Sequence, residues 1–185
     1  MVAAAATHGD VTVKNVIPKH LECITRKLSE MNVKVVEFDD YIRVIADKPI
    51  ASSSIKTMPY PGFPTDMQPQ MAVLMTQAEG VSRVTETIWE SRFKYIDELR
   101  KLGANIEVTG NVARIEGGAE LFAAPVRSCD LRAGAAMVIA GLIASGKTYI
   151  EEIEYIERGY ENIIEKFKAL GANIDKIEVS DTEDK

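Results

Sequence analysis

Leu99-Arg-Lys-Leu-Gly-Ala-Asn-Ile106 returns almost letter for letter as Phe167-Lys-Ala-Leu-Gly-Ala-Asn-Ile174, and more loosely as Leu28-Ser-Glu-Met-Asn-Val-Lys-Val35. Each copy reads as the last turn of an amphipathic helix, a tight turn, and the start of a strand. Gly103 and Gly171 stand where such a helix is closed by a left-handed residue, which glycine adopts without a Cβ clash. Asn32 holds that place in the first copy, the usual second choice.

The copies agree upstream as well. Apolar helices are expected over Met1–His8, Met71–Glu79 and Ala135–Ser145, each running into a glycine (Gly9, Gly80, Gly146) and then a short β-like run, Val11–Val13, Val81–Thr85 and Thr148–Ile150. From that glycine to the residue before the second cap is 22 residues in two copies and 24 in the third. Tyr41–Ala46 and Val112–Glu116 then complete a hairpin. With a period of roughly 70 residues the unit is too long for a common solenoid and suits three units about a pseudo-threefold axis. The second and third helices are apolar nearly all round, which predicts that they lie inside a ring of sheets. The expected fold is therefore α/β, a threefold repeat of mixed units with buried helices and sheets outside. Its units fall at about 1–50, 60–118 and 125–180 within one domain of 1–180, followed by an acidic tail, 181–185. Copies two and three carry a cap segment before the helix, Pro64-Thr-Asp-Met-Gln68 and Ser128-Cys-Asp-Leu-Arg132. Copy one begins at Met1, already inside its helix, so roughly six residues of the repeat are expected to be missing and the chain to be a piece of a longer protein.

The repeat also aligns charged residues. Asp66 and Asp130 share a position just ahead of a buried helix. Aspartate there is a preferred N-cap; it is equally an ionised acceptor able to orient a hydroxyl, and a weak base until that hydroxyl turns acidic. Arg92 and Arg158 share a position 12 residues after Gly80 and Gly146, at the expected start of the surface helix. A cation is disfavoured at a helix N-terminus, so the pair points to an anionic ligand gripped by guanidinium groups, against local pairing with Glu90 and Glu157. Copy one has Leu21 there. Arg132, two residues after Asp130, joins the group. Three arginines and two aspartates meeting at one end fit a small polyanion and a hydroxylated partner.

Other signals carry less. Gly141-Leu-Ile-Ala-Ser-Gly-Lys-Thr148 matches the P-loop pattern, but that motif needs a strand before and a helix after, the reverse of the order here. Cys23 and Cys129 make neither a disulfide framework nor a metal set, and Asp130 would raise a Cys129 thiol pKa. Trp89 and Phe63 flank the proposed sites, as pocket lining or as core. A net charge of −6 and a pI near 5.1 argue against a nucleic-acid or anionic-membrane partner. No apolar run is long enough to span a bilayer and no signal peptide is visible, so a cytoplasmic protein is expected.

Tyr60-Pro-Gly-Phe-Pro-Thr-Asp-Met-Gln68, Glu86-Thr-Ile-Trp-Glu-Ser-Arg-Phe93, Asp130-Leu-Arg-Ala133 and Ile156-Glu-Arg-Gly-Tyr-Glu161 resemble the C-terminal half of the UDP-N-acetylglucosamine 1-carboxyvinyltransferases, a family of bacterial enolpyruvyl transferases. The resemblance covers essentially the whole chain. It implies an inside-out α/β domain of three repeats. It also implies transfer of enolpyruvyl from phosphoenolpyruvate to the sugar 3′-hydroxyl of UDP-N-acetylglucosamine, in peptidoglycan synthesis, without a cofactor or metal. By resemblance Asp66 would accept the hydroxyl proton as the catalytic base, and the Ile88 backbone would touch the UDP-sugar. Arg92 and Arg158 would hold phosphoenolpyruvate, with Asp130 and Arg132 shaping the same site. The family's other domain, with its reactive loop cysteine, has no counterpart here, so the isolated chain is expected to fold without transferase activity. The competing reading is a non-catalytic anion- or sugar-phosphate-binding module of the same fold.

Overall fold

The computed structural model describes residues 1–178. The acidic tail expected at 181–185 lies outside the described residues, as do the last two positions of the expected third unit.

Three helices occupy the interior: α1 (Val2–Ala6), α3 (Gln68–Thr76) and α5 (Leu131–Ile143). Helix α3 packs against both α1 and α5, and all nine of its residues are buried. A helix with apolar residues on every side removes them from water only in this way. In α5 the buried run is Ala133–Ala140, where small residues bring the neighbouring helices close.

Three sheets lie outside these helices. β1 (Asp10–Lys14), β2 (Lys34–Glu37) and β3 (Tyr41–Ile45) form the first, in the order β1-β3-β2 and antiparallel throughout. The second holds β4 (Ser54–Lys56), β5 (Val81–Thr85), β6 (Asn105–Thr109) and β7 (Val112–Glu116) in the order β4-β5-β7-β6. The third is β8 (Pro125–Arg127) paired with β9 (Tyr149–Glu151). Inward-facing Ile42, Val44, Val84, Ala113 and Ile115 lie at 0% exposure, joining the sheets and helices in one core. Surface helices α2 (Glu22–Glu30) and α4 (Tyr95–Lys101) lay Ile24 and Leu28, or Ile96 and Leu99, onto that core.

The repeated turns take the geometry their residues imply: φ is +96° at Gly103, +93° at Gly171 and +65° at Asn32. Gly80 and Gly146 are also left-handed, at +95° and +100°, but in the first copy His8 takes that role at +52° and Gly9 does not. The second and third buried helices start earlier and end sooner than expected, because the cap segments Thr65–Met67 and Asp130 lead directly into them, whereas the first is shortened at both ends to Val2–Ala6.

Two features depart from the sequence reading. β4 and β8 were not expected; each is three residues long, and each runs parallel to the strand that follows the buried helix. Each buried helix of copies two and three is thus the crossover of a β-α-β unit. The second departure is the strand expected after Gly171, which is not formed: residues 172–178 have no regular structure. β2 and β6 take their ladders from β3 and β7, and the third copy has no equivalent strand among the described residues. The surface helices of that copy, α6 (Glu154–Glu157) and α7 (Ile163–Ala169), are correspondingly less covered. Leu170 is 61% exposed, whereas Met31 and Leu102, at the same repeat position, are fully buried.

The shared turn supplies an internal control. Gly103→Ala should cost about 1–2 kcal/mol, since a Cβ is strained at positive φ. Gly103→Asn should cost less, as asparagine already occupies that position in copy one. Urea denaturation of the chain measures both, and equal losses would show that the backbone angle does not set the effect.

Candidate functional site

Asp66 sits in a 3-10 turn, Thr65–Met67, between β4 and α3. No cap hydrogen bond is made by its side chain. Its carboxylate instead lies between two guanidinium groups. Arg132 donates through Nε to Oδ1 (2.8 Å) and through Nη2 to Oδ2 (3.0 Å), and Arg92 donates through Nη2 to Oδ1 (2.9 Å). Arg92 comes from the turn before α4, and Arg132 from the first turn of α5 in the next unit. The clamp therefore crosses the boundary between repeats. The Arg132 side-chain hydrogen bond, aided by the charges of Arg132 and Arg92, holds the Asp66 carboxyl below the usual aspartate range against a smaller opposing effect of burial. The same bond raises the Arg132 pKa. Asp66 remains 55% exposed, while Arg92 is 17% exposed with a buried Nε that has no partner among the described residues.

Asp130 behaves differently. It is the N-cap of α5, its Oδ1 accepting from the backbone N–H of Arg132 (2.8 Å) and Ala133 (2.9 Å). Its carboxylate is thus committed to the helix end, and what it shapes is the direction in which Arg132 leaves that helix. The two aspartates share a repeat position and have separate jobs.

Arg158 is not part of the clamp. It caps the C-terminal end of the one-turn helix α6, a place where a cation is favoured. The expectation that it opens a helix is corrected here, and with it the electrostatic argument for an anion at that position. Arg92 likewise precedes α4 by three residues rather than lying in its first turn. Arg158 is exposed, without an ion pair among the described residues, and lines a cleft of about 680 Å³ with Glu157, Tyr160, Lys168 and Lys176. The adjoining chain is nevertheless close to the clamp's base: a Cβ on Gly159 would lie 2.8 Å from Leu131.

The sequence reading overlooked Glu86. Its carboxylate is buried, 2% exposed, and accepts hydrogen bonds from Thr57 Oγ1 (2.8 Å), Thr65 Oγ1 (2.8 Å) and the backbone N–H groups of Ile88 (2.7 Å) and Trp89 (3.1 Å). Burial raises its pKa, but the Ile88 N–H, the two hydroxyls and the Trp89 N–H outweigh that and leave it lowered. The one signal in the sequence was a carboxylate directly following a strand and preceding an exposed apolar pair. Ile88 and Trp89 themselves are exposed (39% and 61%), so Trp89 is rim; Phe63 belongs to the core at 6%.

The remaining motifs fall away. In the P-loop-like stretch, α5 ends at Ile143 and β9 begins at Tyr149, so no helix N-terminus faces the glycines. Both cysteines are free, and burial first raises each thiol pKa; Glu98, Asp130 and Glu152 raise that of Cys129 further. No cluster able to hold a metal ion occurs among the described residues, and none of the described helices is long and apolar enough to cross a membrane.

Inner helices, outer sheets and an arginine-clamped carboxylate at the joint between two repeats together define an enolpyruvyl transferase-type domain. The profile of the family described as EPSP synthase (3-phosphoshikimate 1-carboxyvinyltransferase) matches residues 1–167, and the chain belongs to that family. Within it, the chain is 57% identical over 174 residues to a UDP-N-acetylglucosamine 1-carboxyvinyltransferase of Clostridium botulinum, covering 94% of this chain and 42% of the relative. One from Desulfofundulus thermocisternus is 54% identical over 174 residues, covering 94% and 72%. The crystal structure of the enolpyruvyl transferase NikO from Streptomyces tendae superposes with a TM-score of 0.86 at 27% identity, over 94% of this chain and 42% of that one. The chain thus spans about two-fifths of the length of several of the relatives it matches.

The clamp makes a pH-dependent contribution to stability. Asp66 has a lowered folded pKa, so that contribution is present above the ordinary aspartate range and is lost as pH falls through the depressed value. Because Asp66 is more than half exposed, Arg132→Ala should cost no more than about 1 kcal/mol at neutral pH. Urea titrations of both chains should converge once the pH lies well below the aspartate range; a gap that persists there would mean that Arg132 acts by packing.

Proposed function

We propose that this chain supplies one wall of the active site of a UDP-N-acetylglucosamine 1-carboxyvinyltransferase, acting in the cytoplasmic stage of bacterial peptidoglycan synthesis. The observation that carries the reading is the Asp66 carboxylate, free of capping duty, open to solvent and held ionised by Arg92 and Arg132.

In this reading the sugar 3′-hydroxyl takes the place of one arginine contact on Asp66. The hydroxyl oxygen bonds to the substituted carbon of phosphoenolpyruvate while the methylene carbon takes a proton from an acid that the facing wall would supply. As that oxygen becomes positive its proton turns strongly acidic, and Asp66 can take it although its resting pKa is low. The tetrahedral adduct then breaks its carbon–oxygen bond to phosphate and returns a methyl proton to the conjugate base of that acid, leaving the enol ether of the sugar. Arg92 and Arg132 serve twice, fixing Asp66 at rest and meeting anionic oxygens of phosphoenolpyruvate in the complex. Arg92 Nε, without a partner among the described residues, is a donor that such an oxygen could satisfy. Arg158 would join them only by reaching across from α6. The Ile88 N–H is already given to Glu86, so a backbone contact with the UDP-sugar falls to its carbonyl. Asp130 contributes through the position of Arg132. The relatives' further length would supply the facing wall, and no cofactor or metal is required.

A chimera carrying this chain in place of the matching segment of the Clostridium botulinum relative tests the reading. It should release phosphate when given both substrates, and Asp66→Asn should lower kcat by about 10²- to 10⁴-fold, the usual range for a general base. The 185-residue chain alone should show no turnover, with its Ile88 and Trp89 amide resonances shifting at millimolar UDP-N-acetylglucosamine. Unchanged kcat in the Asp66→Asn chimera would overturn the assignment. Anion binding to the chain, with an inactive chimera, would instead identify a non-catalytic module.

A further inference from the structure

We propose that Glu86 is a positioning residue, a buried carboxylate that locks the Asp66 turn to the Ile88–Trp89 loop and so sets the geometry of the clamp. The proposal rests on the reading of Asp66 given above, but it concerns a residue enclosed beneath the site and held by protein donors.

Four donors from three segments converge on this one group. Thr57 follows β4, Thr65 is the immediate neighbour of Asp66, and Ile88 and Trp89 form the exposed rim that leads to Arg92. The backbone of Glu86 is pinned independently: its N–H donates to Asn111 O (2.9 Å) and its carbonyl accepts from Asn111 Nδ2 (3.0 Å) in the β6–β7 turn. Thr57 is tied in further, its hydroxyl accepting from the Thr87 N–H at 2.8 Å. The carboxylate is therefore a fixed hub referred to the second sheet, and the Asp66 turn is held to it by the Thr65 hydroxyl.

Its charge is the telling feature. No lysine or arginine pairs with Glu86 among the described residues; neutral donors alone hold it. A buried carboxylate without a counter-ion is costly unless every lone pair is engaged. An apolar residue could fill the space and pack the two loops together. It could not specify the orientation of two hydroxyls and two N–H groups at once. Asp66 needs that specification, because arginine recognition of a carboxylate through parallel bonds depends on angle as well as distance.

The test exploits a sign. Removing the negative charge of Glu86 would, through space alone, make Asp66 more acidic. Loss of the arginine contacts would do the opposite. Carbon-detected NMR of the Asp66 carboxyl, titrated in the 185-residue chain, reads the difference without any substrate, so it is independent of whether the site transfers enolpyruvyl. The expected result is a higher Asp66 pKa in Thr65→Val and in Glu86→Ala. Glu86→Gln, isosteric and still able to accept from Ile88 and Trp89, should keep Asp66 at or below its native value. Thr65→Val removes the donor to Oε2 but keeps Glu86 Oε1 with its three donors, and it decides the matter if Glu86→Ala does not fold. Asp66 titrating at or below the native value in Thr65→Val would overturn the proposal. An inactive chimera beside a raised Asp66 pKa would count against the transferase reading alone.

Discussion

The mutual packing of α1, α3 and α5 is the constraint on which the rest of the molecule depends. A helix such as α3, buried along its whole length, leaves its neighbours no freedom of approach, since interiors fill at near-crystalline density. Fixing the axes of α3 and α5 also fixes where their N-terminal ends lie. Side chains from those two ends meet because the helices do: Asp66 precedes α3, and Arg132 opens α5. Arg92 is delivered to the same point by the loop that returns from the second sheet to α4. A site made this way belongs to the contact between repeats, and no single unit could form it.

That origin explains how one repeat position supports two roles. Asp130 lies directly before α5 with an extended backbone, so its carboxylate reaches the first free N–H groups. In copy two a 3-10 turn intervenes and α3 begins two residues after Asp66, with proline as its second residue. Proline has no N–H to offer, which lowers the value of a cap at that end. Asp66 is thereby released toward the joint, where two arginines receive it. The repeat carries the carboxylate twice, and the local backbone decides which copy caps a helix and which is free to meet the arginines.

Much of the fold was legible in the sequence because the signals were periodic. The left-handed turns at Asn32, Gly103 and Gly171, the strands Val81–Thr85 and Val112–Glu116, and the burial of the second and third apolar helices all follow from repeated local chemistry. β4 and β8 escaped because three-residue strands carry too few alternations to register, and their pairing is to a strand far along the chain. The strand expected after Gly171 failed for the complementary reason: local pattern proposes a strand, but only a partner forms one. At the site, Asp66, Arg92 and Arg132 were identifiable by position and do converge. Arg158 was misplaced because the third surface helix is broken at Asn162, which no repeat comparison showed. Glu86 was missed since its importance lies in four bonds to distant donors, not in any spacing.

A clamped carboxylate is at first sight a poor base, because each arginine bond stabilises the anion and weakens its pull on a proton. The apparent conflict disappears when timing is considered. The arginines keep Asp66 ionised and aimed, so in the proposed reaction no proton would need to be removed from it first. In the proposed reaction a phosphorylated enol entering the site would bring its own anionic oxygens, which would compete for the same guanidinium groups and loosen their hold on Asp66. Its affinity for a proton would then rise at the moment the sugar oxygen, bonding to carbon, is most willing to give one up. The second anion would thus switch the base on, and rigid support beneath Asp66 matters because the carboxylate must keep its place while its partners change.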